Sequence, residues 1–210
     1  GHLKDIQYRA VEVLKEVSVI LAEDTRQTKK LLNHYNIEKK MYAHHKFNEH
    51  KTTDIVVKRL QAGESIALVS DGGTPGISDP GFFLVRACIE KHITVETLPG
   101  AVAFIPALVN SGYPTDKFVF LGFPPHKKGR KTLFETIAKE SKTVVLYESP
   151  HRIVKTLEQI KSYIGLDTQI SISRELTKTY EETLRGSAEE LLAYFKKNKP
   201  KGEFVVIIAR

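Results

Sequence analysis

The residues best suited to chemistry cluster in "VSDGGTPGISDPG", positions 69–81. Gly72, Gly73, Gly76 and Gly81 sit among two prolines and two aspartates, directly after the apolar run at 66–69. Glycine tolerates positive φ and lets a backbone come close to a ligand. Exposed N–H groups in such a loop hold an anion or a carboxylate, and Asp71, Thr74, Ser78 and Asp79 add side-chain partners. Two nucleotide loops are excluded. No lysine follows the glycines, as a P-loop requires, and their spacing does not fit G-x-G-x-x-G. A ligand loop of another kind and a long turn both remain open. A second tight turn, "LPGA" at 98–101, follows the next apolar run. Two such turns at consecutive strand ends favour a cleft.

The elements that must position these residues read as follows. Apolar residues at helical spacing predict a helix over 5–17, with Asp5 as N-cap, and a second helix over 24–35 opened by Asp24. Between them "SVILAE" (18–23) reads as a strand, so Glu23 and Asp24 fall where that strand ends. "MYAHH" (41–45), "SIALVS" (65–70) and "ITVET" (93–97) read as further strands, and 48–62 as a helix. Asp79-Pro80 predicts the start of a helix over 79–91, with Asp79 capping. A small-residue helix then runs to Gly112. "GYPTDK" (112–117) is dense in turn formers and marks a domain boundary, giving domains 1–113 and 117–210. The second half alternates again, with strands at 118–123 and 142–148, paired strands at 168–175 and 179–187, and a last strand in "GEFVVIIAR". Alternating strands and helices predict an α/β fold with mostly parallel sheets, the second one mixed.

The totals narrow the classes. No apolar run approaches the roughly 18 to 20 residues of a membrane span, so no membrane is expected. The single cysteine, Cys88, excludes an intramolecular disulfide and fits a cytoplasmic location. His34, His44, His45 and His50 lack metal-ligand spacing, and no metal is expected. The net charge of +7 favours a polyanionic partner such as nucleic acid, or serves solubility alone.

Seven stretches together resemble the small-subunit ribosomal RNA methyltransferase I family of the tetrapyrrole-methylase superfamily. They are "AEDTRQTKKLL" (22–32), "SDGGTPGISDPG" (70–81), "LPG" (98–100), "GFPP" (122–125), "YESPHRI" (147–153), "SRELTKTYEE" (173–182) and "GEFVVII" (202–208). The resemblance spans nearly the whole chain. It implies two α/β domains of the tetrapyrrole-methylase type, with S-adenosylmethionine in the cleft between them. It also implies methyl transfer to the ribose 2′-hydroxyl of a cytidine in small-subunit (16S) rRNA, and a homodimer. By the same likeness Asp71, Gly72, Gly73, Thr74, Ile77 and Ser78 wrap the cofactor. Gly100, Val102 and Ala103 line its adenosine side, and Tyr147-Glu148 forms a wall in the second domain. Leu176, Glu203 and Phe204 complete the implied set. Three departures stand out. The strand and loop that usually open the family are missing, which reads as a trimmed start, with His2 where asparagine is expected. Val102 stands where the family often has Ser or Thr, removing a hydroxyl contact. The C-terminal extension of longer members is also lacking.

Methyl transfer from a sulfonium is an in-line displacement, and alignment alone is worth up to about 7 to 11 kcal/mol. A ribose hydroxyl needs a base to polarise it. The candidates are Asp24, Glu148 and Glu175, with Lys178 if burial depresses its pKa. Two have plainer roles open to them: Asp24 as a helix cap, Glu148 as a partner of Arg152. RNA contacts are expected at Arg26, Lys29 and Lys30 on one helix, and at Lys127, Lys128 and Arg130 in the basic loop "HKKGRK". His151, Arg152 and Arg174 are expected nearby, each able to meet a phosphate. The rival readings are a methylase of corrin or sirohaem precursors and an RNA-binding module without cofactor.

Overall fold

The computed structural model describes all 210 residues. The chain divides into two compact units, residues 1–102 and 103–210.

The first unit is built on a three-stranded parallel sheet. Its strands are β1 (Val19–Ala22), β2 (Lys40–Ala43) and β3 (Ile66–Val69), in the order β2-β1-β3. Central β1 is buried along its whole length, as a strand covered on both faces must be. Helices α1 (Tyr8–Glu16), α2 (Thr25–His34), α3 (Glu49–Gln61) and α4 (Phe82–Glu90) accompany it. Leu14, Val17, Ile20 and Leu32 form one core cluster, and Leu21, Val56, Val57, Leu84 and Cys88 another. Ile20 and Leu21 point to opposite faces because successive strand side chains alternate.

Three local expectations shift. Asp5 ends a short 3-10 turn at Leu3–Asp5, and α1 starts later, capped by Gln7 without a side-chain bond. Helix α4 starts at Phe82 rather than at Pro80. Gly81 takes the cap position at φ 139°, because the Pro80 carbonyl accepts from the Gly76 N–H and belongs to the loop. Residues 93–97 form no strand, and β3 is left as a sheet edge. Apolar residues there set a local preference, but a strand also needs a ladder partner.

The second unit holds a five-stranded mixed sheet in the order β4-β5-β8-β6-β7. Its strands are β4 (Phe118–Phe120), β5 (Thr143–Glu148), β6 (Gln169–Arg174), β7 (Glu182–Ser187) and β8 (Phe204–Ile208). Strands β4 and β5 are parallel, and the other pairings are antiparallel. Helices α6 (Arg130–Lys139), α7 (Ile153–Tyr163) and α8 (Ala188–Lys197) supply Phe134, Leu157 and Leu191 to one face of this sheet. Ser187 and Glu190 close a capping box at the start of α8. The opposite face is covered by α5 (Phe104–Ser111), through Ala107 and Leu108 against Val145, Val205 and Ile207. That packing moves the division of the chain to 102/103. The turn-rich stretch at 112–117, expected as the boundary, is instead an internal link of the second unit, starting at Gly112 with φ 76°.

Candidate active site

In the first unit the parallel strands β1 and β3 end side by side, and their acids stitch the ends together. The Asp24 N–H donates to Asp71 Oδ1 at 3.0 Å, and the Asp71 N–H donates to Glu23 Oε2 at 3.3 Å. In an open α/β sheet this carboxyl edge is where ligands bind. The glycine loop rises from it. Ser70 Oγ reaches the carbonyls of Gly72 and Gly73, each at 3.3 Å, and tightens the first turn. Thr74 Oγ1 donates to the Ala101 carbonyl at 3.1 Å, so the two turns found in the sequence are joined. A Cβ on Gly73 would lie 3.3 Å from that carbonyl, and one on Gly100 would lie 3.3 Å from Thr74 Oγ1. The contact between the turns therefore leaves little room for a side chain at either glycine, and Gly73 also sits at φ 83°.

Gly72 is different. A Cβ there would meet nothing within 4 Å. Asp71, Gly72 and Gly73 are all exposed, and Ser78 is held at φ 63° with Ile77 and Ser78 outward. Backbone open on one side and fixed on the other fits a ligand that needs close main-chain approach. Val102 is half-buried and Ala103 exposed.

Asp24 caps α2. It accepts from the Arg26 N–H at 2.8 Å and pairs with the Arg26 guanidinium at 2.6 Å. These bonds to Arg26 hold its carboxyl down at about 2. Both oxygens are occupied, which makes Asp24 a poor base. Arg26 extends into solvent with Lys29 and Lys30 on the same helix.

In the second unit three of the sequence motifs meet around one carboxylate. Glu148, at the end of β5, is completely buried. Its Oε1 accepts from the Ser149 N–H at 2.8 Å and faces Arg152 Nη2 at 3.0 Å. Its Oε2 accepts from Thr156 Oγ1 at 2.6 Å and faces Arg130 Nη2 at 3.5 Å. Arg130 and Arg152 then donate to the carbonyls of Pro125 and Pro124, at 3.1 and 2.9 Å. The buried pairs thus clamp the "GFPP" loop onto the "YESPHRI" turn. Two expectations are corrected here. Both Glu148 oxygens are engaged by neighbouring groups inside the fold, so the carboxylate is not placed to take a substrate proton. Arg130, 3% exposed, is not available to a phosphate. Burial also pulls its guanidinium pKa down, with Glu148 opposing. A count of basic residues cannot reveal this; the acid and hydroxyls that hold Arg130 are brought in by other elements. Lys127, Lys128 and His151 remain exposed.

Tyr147 and Glu148 are neighbours on β5, so their side chains leave opposite faces of the sheet. Tyr147 joins Phe104, Phe120 and Leu176 on the α5 side, and its ring lies 5.4 Å from that of Phe123. Phe204 is buried on the other face, with Phe134 and Leu157. Of the residues expected to form the second-unit wall, the fold therefore groups Tyr147 with Leu176 and sends Glu148 and Phe204 elsewhere.

Glu175, Lys178 and Glu203 form a third group. Lys178 Nζ lies 3.0 Å from Glu175 Oε1 and 2.9 Å from Glu203 Oε2, and Glu175 Oε1 also accepts from the Glu203 N–H at 3.1 Å. Burial draws the Lys178 ammonium pKa down, but bonds to Glu203 and Glu175 outweigh it and the net shift is upward. Lys178 is therefore an ammonium, not the depressed base expected. Burial pushes the Glu175 carboxyl up, while Lys178 and the Glu203 N–H more than compensate and hold it low. Glu175 sits at φ 50°, strained for a residue with a side chain. Arg174 is committed to Glu182 at 2.7 Å.

Comparison with known proteins identifies the family. Residues 1–192 match the model of the Tetrapyrrole (Corrin/Porphyrin) Methylases. The chain is 48% identical to a "Ribosomal RNA small subunit methyltransferase I" of Synechocystis sp., across all of this chain and 75% of that protein. It is 42% identical to the protein of the same name from Thermotoga maritima, across all of this chain and 94% of the other. The chain belongs to the ribosomal RNA small subunit methyltransferase I family, within the tetrapyrrole methylases. Solved structures show the same fold. A uroporphyrin-III-C-methyltransferase from Thermus thermophilus superposes with a TM-score of 0.69 at 17% identity, covering 99% of this chain and 89% of that one. A diphthine synthase gives 0.74 at 12% identity, covering 98% and 85%. At such identities the likeness speaks for the fold alone.

Proposed function

We propose that this chain transfers a methyl group from S-adenosylmethionine to small-subunit ribosomal RNA, at the ribose 2′-hydroxyl of a cytidine. The observation that carries the reading is the open backbone at 71–73, fixed at the carboxyl end of β3 by the bond from Thr74 to Ala101. Asp71, Gly72, Gly73, Thr74, Ile77 and Ser78 hold the cofactor, whose sulfonium supplies the methyl. The protein's task is then alignment, which can contribute about 7 to 11 kcal/mol. Identity of 42% and 48% to relatives named for ribosomal RNA favours this substrate over a tetrapyrrole. Arg26, Lys29, Lys30, Lys127, Lys128 and His151 are the exposed basic groups suited to phosphates.

Among the candidate bases, Glu175 alone keeps a carboxylate oxygen, Oε2, without a hydrogen-bond partner. It is the group proposed to accept the hydroxyl proton. The protein is further proposed to act in the cytoplasm, where ribosomal subunits reside, as a homodimer. Helix α4 supports the dimer: Phe82 and Ile89 are 60% and 62% exposed on its outer side, and a two-fold interface pairs such a patch with itself.

Incubation with methyl-labelled S-adenosylmethionine tests the function. Label should enter small ribosomal subunits and not uroporphyrinogen. Glu175→Gln should lower kcat and leave cofactor affinity unchanged. Label in the porphyrinogen alone would overturn the reading.

A further inference from the structure

Across the end of α8 the chain reads "KKNKPK", 196–201. Lys197, Lys199 and Lys201 line one pocket of about 340 Å³ in the second unit, together with Arg174, Tyr194 and Asn198. Lysines in the last turn of a helix have an ordinary role, since they complement the helix dipole. That accounts for Lys196 and Lys197, but Lys199 and Lys201 lie beyond the helix.

The backbone explains how all three come together. Asn198 ends α8 in an extended conformation, φ −118° and ψ 111°. Lys199 precedes Pro200, which also favours extended backbone. Alternate residues of an extended chain share a side and are about 7 Å apart, the scale of one nucleotide step. Asn198 Nδ2 donates to the Tyr194 carbonyl at 3.0 Å, anchoring the segment to the helix.

The charge of the pocket is lopsided. Arg174 is neutralised by Glu182 at 2.7 Å, and the Tyr194 hydroxyl donates to the same acid at 3.2 Å. Lys197, Lys199 and Lys201 are exposed and make no ion pair. Three uncompensated ammonium groups around a concavity focus a positive field. A run of backbone phosphates meets those groups at their own spacing.

We propose that this pocket is an additional RNA-backbone site, in which Lys197, Lys199 and Lys201 bind consecutive phosphates of small-subunit rRNA. The proposal rests on the rRNA methyltransferase reading and adds a contact that none of the sequence motifs carries. Phosphate contacts of this kind fix orientation without reading sequence.

The test is the salt dependence of binding to protein-free small-subunit rRNA, for the full chain and for Lys197→Gln, Lys199→Gln and Lys201→Gln combined. Loss of three phosphate contacts should reduce the slope of log K against log salt by about 2. Cofactor affinity should not change, and the melting temperature should fall by no more than the few degrees that loss of the Lys197 charge at the end of α8 accounts for. A second triple variant, Lys15→Gln, Lys58→Gln and Lys91→Gln, makes the same change in net charge at exposed positions elsewhere and should keep the full slope. Equal slopes for wild type and the pocket variant overturn the proposal, as does an equal loss in the control. A defect seen with intact subunits but not with bare rRNA assigns the pocket to a ribosomal protein and overturns it too. If the wild type neither binds nor methylates small-subunit RNA, the functional reading fails first, and this site with it.

Discussion

Replacing Glu148 by alanine is expected to lower the stability of the second unit by about 3 to 5 kcal/mol. The carboxylate is completely buried, and Arg130 beside it is buried as well. Removing the acid leaves two guanidiniums without a counter-charge, and the Ser149 N–H and Thr156 hydroxyl without an acceptor. A buried charge that loses its partner costs more than the pair ever contributed. Urea unfolding of the full chain, followed by a probe in the second unit, reads the loss. Adding Arg130→Met to the alanine variant should recover part of it, because one of the stranded charges is then gone. If Glu148→Ala unfolds at the wild-type urea concentration, Glu148 is not the anchor of the "GFPP" loop.

Gly81→Val is expected to cost about 3 kcal/mol, from backbone strain and overpacking together. The residue sits at φ 139°, where side chains are disfavoured. A Cβ would lie 2.9 Å from Leu68 Cδ2 and 3.4 Å from the Gly76 nitrogen. Leu68 packs against the cluster that includes Val56 and Leu84, so it cannot retreat without disturbing β3 against α3 and α4. The backbone of Gly76 belongs to the loop proposed to hold the cofactor, so strain that Leu68 does not absorb passes to that loop. Reduced stability together with weakened cofactor binding is the expected result, read by thermal melting and calorimetry.

Much of the architecture was legible in the residue pattern. Continuous apolar runs at 19–22 and 204–208 predict strands covered on both faces, and both are buried throughout. Asp24 was readable as a helix cap because its type and position before the helix suffice. What the pattern could not supply was partnership. Residues 93–97 have the apolar content of a strand but no neighbour to ladder with. Helix α5 follows the first-unit turn in sequence, yet its Ala107 and Leu108 face Val145 and Ile207. In a list of basic residues Arg130 looks like Lys127 and Lys128; only the tertiary fold shows that it is engaged by Thr156, Gln159 and Glu148. The glycine loop was conspicuous by composition, but composition does not separate glycines that pack, such as Gly73, from one whose Cβ position is open, such as Gly72.

Gly72 makes that separation testable. Its Cβ position is empty space, so valine there should fold normally and intrude only on whatever occupies the cradle. Calorimetric titration with S-adenosylmethionine should show saturable binding to the wild type. For Gly72→Val, affinity should be at least about ten-fold weaker, equivalent to about 1.4 kcal/mol or more, with an unchanged melting temperature. Equal affinity in both proteins, or no binding to either, would contradict the account.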